Sequence, residues 1–403
     1  MLRTAAETVA FHRDPLGVLK RLRAREGPVF TIDLAVLGPV VVVADPAAIG
    51  PLMAADPDRA HAGEARRRVL PFASDRSMFG ADGEQHARTR RHIADAFAAP
   101  RIAGLRGDMA RIAEEHAARW PRGRPFRLLP RVRTLIDAFF VRHVLGVRDE
   151  ERARLAVLAL RRMLQSPGNP PMPLPGPGNQ TLERPVSALF AWRAGPLRAV
   201  LGQEIDARRA RPEGDDVIGH LVRSAPEQDA AAMTDELLSV IMAAQEPPSV
   251  AVTRLLERAA RGADIADEGV VRETLRLTPP ALGVLRTLTE PMEVAGRQIP
   301  AGAVTMLPIP LLQRDPAAFP EPDAFRPERW ADGAREDCFL PFGGGARRCV
   351  GEALAQAYFG AIAPVLAGTL ALKPLSRAPE RMVVRATTLV PQRSGLVTAR
   401  ARS

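Results

Sequence analysis

Cysteine is nearly absent from this 403-residue chain, which holds Cys338 and Cys349 and no other. A disulfide framework is thereby excluded, since such scaffolds rest on several bridges in a short chain. Lysine is almost as scarce: Lys20 and Lys373 stand among 56 basic residues, so the other 54 are arginine. The formal net charge of +10 could suggest nucleic acid. The arginines are scattered, however, and one tyrosine with three tryptophans offers few platforms for stacking bases. Nucleic-acid binding is not expected, and a basic surface for an acidic protein is the better reading. No apolar run approaches the roughly 18 residues of a membrane span. The N-terminal residues carry no apolar signal-peptide segment. A soluble, cytoplasmic protein with no membrane association is expected. No H-E-x-x-H motif occurs, and the histidines at 12, 61, 92, 116, 143 and 220 show no zinc spacing.

What is present is apolar periodicity, with 46% hydrophobic residues to build a core. Asp14 to Arg23 reads as an amphipathic helix. Residues 29–34 and 40–44 read as strands joined near Gly38-Pro39. Helical spacing then dominates, over 84–98, 102–120, 128–145, 151–164, 183–209 and 234–261. Short strands return over 283–310, and again near 383–390 and 395–399. The proline-rich stretch 166–179 cannot be helical and predicts a stiff, extended loop. No internal repeat is visible; the length would allow two or three average domains, and one large domain over 1–403 is also possible.

The most pointed local feature is Phe342-Gly-Gly-Gly-Ala-Arg-Arg-Cys-Val-Gly351. Cys349 lies behind glycines 343, 344 and 345, which let the backbone pass close to something flat or bulky. It precedes an apolar helical run, and Arg347 and Arg348 flank it. A cysteine at a helix start beside guanidinium groups is expected to have a depressed pKa, as a ligand or nucleophile. Phe342 could shield one side of the sulfur.

Phe342, Gly345, Arg347, Cys349 and Gly351 fit the pattern F-x-x-G-x-R-x-C-x-G, which resembles the haem-binding loop of the cytochrome P450 family. The resemblance implies a mainly α, cytochrome P450-like fold with small β-sheets. It implies haem b as cofactor and Cys349 as the metal ligand, its thiolate favouring O–O cleavage. Gly343 and Gly351 belong to the same loop. Glu273-Thr-Leu-Arg276 and Phe325-Arg-Pro-Glu-Arg329-Trp precede the loop in the order the family shows. They imply a structural triad of Glu273, Arg276 and Arg329 that braces it. Gly83-Glu-Gln-His86-Ala-Arg-Thr-Arg90 is similar to the family's H-x-x-x-R motif. By resemblance, His86, Arg90, Arg286 and Arg347 would contact the haem propionates, a sound use of charge-assisted hydrogen bonds.

The chain departs from the family at Ala243-Ala-Gln-Glu-Pro-Pro-Ser249. This segment corresponds to the [AG]-G-x-[DE]-T core of the helix crossing the distal haem face. Ala243 would lie against haem and leave room for dioxygen. Pro247 stands where the family has a threonine that helps deliver protons. Pro247 and Pro248 have no N–H for the carbonyls of residues 243 and 244, so a kink is expected there. Glu246 and Ser249, water on the freed carbonyls, or a polar group of the substrate could substitute. The candidate catalytic set is Glu246, Pro247 and Ser249. Between Pro248 and Glu273 the chain is shorter than the family pattern by roughly two helical turns.

The resulting expectation is monooxygenation of a small organic molecule in secondary metabolism by a monomeric enzyme. Electrons would come from a separate ferredoxin-type partner with its reductase, because the chain has no flavin or nicotinamide fingerprint. Peroxide-driven oxidation or radical aromatic coupling is the alternative raised by Pro247, and a haem-binding protein with little turnover is a third. Val69, Leu70, Phe72, Met78, Phe79, the segment after 166, and residues 282–284 would shape the pocket.

Overall fold

The hairpin expected around Gly38-Pro39 forms as strands Val29–Leu34 and Gly38–Val43, antiparallel, with Val29 opposite Val43 and Leu34 opposite Gly38. Phe30, Ile32 and Leu34 point to the core while Thr31 and Asp33 are exposed, the period-two alternation of a half-buried strand. The second strand pairs in parallel with Val304–Leu307. That strand pairs antiparallel with Val284–Leu288, and Ala60–His61 closes the far edge. This five-stranded sheet fixes Arg286 opposite Thr305. The computed structural model describes residues 2–34, 37–55, 59–70, 72–164, 180–333, 336–385 and 387–401. The proline-rich stretch 166–179 lies outside them.

Helices make up most of the rest, and the fold is mainly α with small β-sheets. The helix expected over 84–98 runs as Gly83–Ala94 and ends in a 3-10 turn, Asp95–Phe97. The one expected over 102–120 divides into Ala99–Gly104 and Arg106–Ala118. Leu128–Phe139 continues into a π-helical turn, Phe140–Leu145, which stops at Gly146 with φ +95°. Glu150–Leu164 and Gln180–Ala210 match their periodicity. Among the helices of eight residues or more, two lacked a clear signal, Leu2–Arg13 and Val217–Ser224. The second is short and depends on Asp216, whose carboxylate accepts from the Gly219 N–H at 2.8 Å.

The central helix, Ala230–Ala259, starts one turn ahead of its expected position. Asp229 accepts from the Ala232 N–H at 2.6 Å, a cap that contributes about 1 kcal/mol. Leu237, Leu238, Ile241, Leu255 and Leu256 bury it in the largest core of the molecule. It stays helical through Pro247 and Pro248 instead of breaking there. Residues 260–267 form only turns, as the short connection implied. Asp267 then caps the helix Glu268–Leu277 through the Gly269 N–H at 2.7 Å. No helix of the described residues is long and apolar enough to cross a membrane.

Candidate active site

The cysteine loop is closed on itself. The Cys349 N–H donates to the Phe342 carbonyl at 2.9 Å, and Gly345–Arg347 form a 3-10 turn between them. Gly343 and Gly345 have φ of +68° and +60°, a region favouring glycine. At Gly345 a Cβ would also lie 2.8 Å from the Met53 carbonyl oxygen, so the loop and the Ile49–Ala54 helix meet backbone to backbone. The Phe342 ring packs against the large core.

The two cysteines differ. Cys338 is fully buried in the core beside the sheet. Cys349 is accessible, yet protein atoms crowd it so closely that burial pushes its thiol above the ordinary value. The Gly351 N–H, Arg90 and Arg66 pull the other way without prevailing. The depressed pKa expected from the sequence is therefore corrected: burial outweighs the helix start and the guanidinium groups. A thiol both reachable and deep in the protein faces an internal cavity.

Cations gather around that cavity. His86, on the inner face of the Gly83–Ala94 helix, is held down to about 3 by burial and then by Arg347, Arg90 and Arg66. Arg90 lies near enough to Cys349 and Arg347 for each to act on its charge. Arg286 is buried on the sheet, donating to the Leu285 carbonyl at 2.9 Å and contacting the Met53 sulfur at 3.8 Å. Met53 also touches the glycines of the cysteine loop. Arg347 is committed to protein partners: it donates to the Ala81 carbonyl at 2.8 Å, Asp82 at 2.7 Å and the Met78 carbonyl at 3.3 Å. Asp82 accepts in addition from the Gly63 and Glu64 N–H groups. Arg66 and Asp82 escaped the sequence reading. The run Arg66-Arg67-Arg68, just ahead of the pocket residues, was the available signal.

The brace is a hydrogen-bonded unit. Arg276 binds Glu273 through two bonds of 2.8 Å, and both residues are fully buried. Arg329 donates to Glu273 at 3.2 Å. The Trp330 indole N–H and the Arg326 backbone N–H complete the acceptor sites of the carboxylate. Buried charges persist on such terms, with every lone pair used. Arg276 also donates to the carbonyls of Gln313, Pro322 and Ala324. Gln313 answers by donating to the carbonyls of Leu275 and Arg276 and accepting from the Leu340 N–H at 2.8 Å. Leu340 stands two residues before Phe342, so this chain of bonds reaches the cysteine loop. Gln313 and Trp330 were not foreseen.

On the central helix, Ile241, Gln245 and Ser249 are buried, whereas Ala243, Ala244, Glu246, Pro247 and Pro248 are half-buried. The Ser249 hydroxyl donates to the Gln245 carbonyl at 2.6 Å, which commits it to the helix and not to the accessible side. Glu246 is paired with Arg133 of the Leu128–Phe139 helix. One turn beyond Arg133, Asp137 is fully buried with neither oxygen hydrogen-bonded, and burial pushes it up to about 7. Above the cavity, the Met78 N–H donates to Glu236 at 2.7 Å and Ser239 donates to the Phe72 carbonyl at 3.1 Å. These bonds latch the loop bearing Phe72, Met78 and Phe79 onto the central helix.

An accessible thiol, a close-approaching glycine loop and a cluster of cations beside them fit a flat, anionic, metal-bearing group. That is the arrangement of a haem-thiolate protein. Residues 268–366 match the family described as Cytochrome P450. Cytochrome P450 135B1 of Mycobacterium bovis is 29% identical over 98% of this chain and 90% of its own length. Cytochrome P450 137 of Mycobacterium tuberculosis is 28% identical over 96% and 86%. The retinoic acid-bound cyanobacterial CYP120A1 superposes with a TM-score of 0.82, at 20% identity over 98% of this chain and 96% of that one. A mutant of P450 EryK in complex with erythromycin B gives a TM-score of 0.73 at 21% identity, over 96% and 97%. Together these findings support a bacterial cytochrome P450, a P450-type monooxygenase with haem b as its cofactor.

Proposed function

We propose that this enzyme oxidises a small organic molecule, in secondary metabolism, with Cys349 as the residue that would hold its haem iron. The carrying observation is the Cys349 thiol, accessible within a crowded interior, with Arg90 and Arg66 close enough to act on its charge and His86 beside the same two arginines. Phe342, Gly343, Gly345 and Gly351 would let the loop approach the haem, and Ala243 would leave space beside it. His86, Arg90 and Arg286 hold the propionates, with Arg347 contributing charge while its hydrogen bonds tie the loop to residues 78–82. Haem ligated by a thiolate supplies dioxygen activation and oxygen transfer to carbon. Glu246, oriented by Arg133, handles protons at the cavity wall.

Residues 1–403 act as one domain and as a monomer in the cytoplasm. The electrons come from a ferredoxin-type protein and its reductase. Arg88 and Arg91, exposed on the helix of His86, and Arg348 beside Cys349 suit an acidic partner. Turnover should therefore fall as salt screens these charges.

The test is the reduced carbon monoxide difference spectrum. The native protein should give a thiolate-type Soret maximum that Cys349→Ala abolishes and Cys338→Ala keeps. A purified protein that takes up no haem would sink the reading. A second reading, peroxide-driven oxidation or radical coupling of aromatics, is favoured by Pro247 together with the commitment of Ser249 to Gln245. Product formed with peroxide but not with ferredoxin and reductase would select it. Haem uptake with no turnover under either condition would leave a haem-binding role.

A further inference from the structure

A helical carbonyl is satisfied by the N–H four residues on, or failing that by the one three or five residues on. The tandem prolines remove these donors in pairs. The Ala243 carbonyl loses residues 247 and 248, its fourth and fifth. The Ala244 carbonyl loses the same two, its third and fourth. The donors left at those offsets, the Glu246 N–H for Ala243 and the Ser249 N–H for Ala244, serve Met242 and Gln245 in the continuing helix, and the Ser249 hydroxyl is turned onto the Gln245 carbonyl as well.

The helix nonetheless continues through this point. At about 100° per residue, Ile241, Gln245 and Ser249 share the buried side. Ala243, Ala244, Pro247 and Pro248 share the half-buried one. The two carbonyls therefore lie on the side that a small molecule can reach, under the loop latched by Glu236 and Ser239. The charge nearby is already spent or positive: Glu246 is paired with Arg133, and Arg385 lies close to both. Such surroundings suit a neutral donor and disfavour an ammonium group.

We propose that the Ala243 and Ala244 carbonyls bind a neutral hydroxyl or N–H of the substrate and so select donor-bearing molecules. This rests on the reading above, that the cavity beside this helix receives the substrate over haem. An ordinary helix at this position, with its carbonyls satisfied internally, would offer no such acceptors. The prolines that remove a hydroxyl from the site thus supply two acceptors in its place.

Indole, 1-methylindole and benzofuran test this, because they share a shape while indole alone carries a donor. Each is titrated into the haem-loaded protein up to millimolar concentration, and binding is read from the Soret shift and from equilibrium dialysis. Indole should bind about tenfold tighter than the other two, the value of one well-placed hydrogen bond. In P247A/P248A, which restores both N–H groups, the preference should fall to about threefold or less. Equal affinity for all three, an unchanged preference in the double variant, or no binding of indole would overturn the proposal. Failure of the protein to load haem would instead overturn the reading beneath it.

Discussion

Arg133 and Glu246 are joined across two helices, the guanidinium of Leu128–Phe139 donating to a carboxylate on the central helix. Arg133 is nearly inaccessible and Glu246 is about one-fifth exposed, so the pair is held at the cavity wall and not in bulk water. The arginine fixes where the carboxylate can reach. Glu246→Gln should lower turnover about a hundredfold, the range for positioned proton transfer. Arg133→Met should cost a similar factor, with haem content and ligand affinity unchanged. The double variant should be no worse than Glu246→Gln alone, since both substitutions interrupt one function. Independent, multiplying losses in single-turnover rates would show that Arg133 does not act through Glu246.

Asp137 and Glu236 should each subtract stability as pH rises from about 4 to about 8, against the opposite contribution of His86, which is held down to about 3. Burial pushes Asp137 up to about 7, against the opposing pull of Arg133 and Arg161. Burial pushes Glu236 up to about 8, with the Met78 N–H opposing. Below pH ~4 these groups are protonated in both folded and unfolded chains, and no penalty exists. As pH climbs, the unfolded chain ionises first while the folded one keeps its protons, so folding loses ground until the folded values are passed. Thermal midpoints followed by circular dichroism should show Asp137→Asn and Glu236→Gln gaining on the native protein as pH rises through this window. Parallel curves would contradict the assignment.

The two left-handed glycines of the cysteine loop should respond differently to a methyl group. Gly343→Ala meets no atom closer than 4.0 Å, so its cost is the backbone conformation alone, on the order of 1 kcal/mol. Gly345→Ala meets the same cost and also drives Cβ to 2.8 Å from the Met53 carbonyl. Since Met53 contacts Arg286, the shift should spread to the cation rim. Haem occupancy after purification, measured against protein concentration, should stay near native in Gly343→Ala and drop severalfold in Gly345→Ala. The opposite order would mean that the loop yields at Met53 without consequence.

The residues legible in the sequence were those whose roles are written in local spacing. Glu273 and Arg276 are three apart on one helix, and His86 and Arg90 four apart on another. The loop from Phe342 to Gly351 is contiguous. Helices with long periodic runs were legible for the same reason. Arg133, Asp82 and Gln313 were not, because each gains its meaning from a partner far along the chain: Glu246, Arg347 and Leu340. Asp137 is likewise invisible in one dimension, since a carboxyl on an amphipathic helix reads as solvated until packing removes the water. The effect of Pro247-Pro248 was half legible. The missing donors follow from composition, whereas the continuity of the helix depends on the tertiary burial of its other face.

The buried brace should fail in a graded order. Arg276→Ala removes two bonds to Glu273 and strands three carbonyls, those of Gln313, Pro322 and Ala324. Breaking a buried pair from one side costs about 3–5 kcal/mol, enough to unfold a marginal protein, so this variant should accumulate as insoluble, haem-free chain. Arg329→Ala removes one longer bond to Glu273, one to the Pro320 carbonyl and a long one to the Glu321 carbonyl, while Arg276, Trp330 and the Arg326 N–H still hold the carboxylate. It should fold with lowered haem occupancy. Trp330→Phe deletes a single donor and keeps most of the ring, on which Arg272 stacks at 4.3 Å, for a loss of about 1 kcal/mol. Soluble yield and thermal midpoint should therefore rank Trp330→Phe above Arg329→Ala above Arg276→Ala. Equal damage from Arg329→Ala and Arg276→Ala would instead make the triad one indivisible unit, in which the 3.2 Å contact matters as much as the two at 2.8 Å.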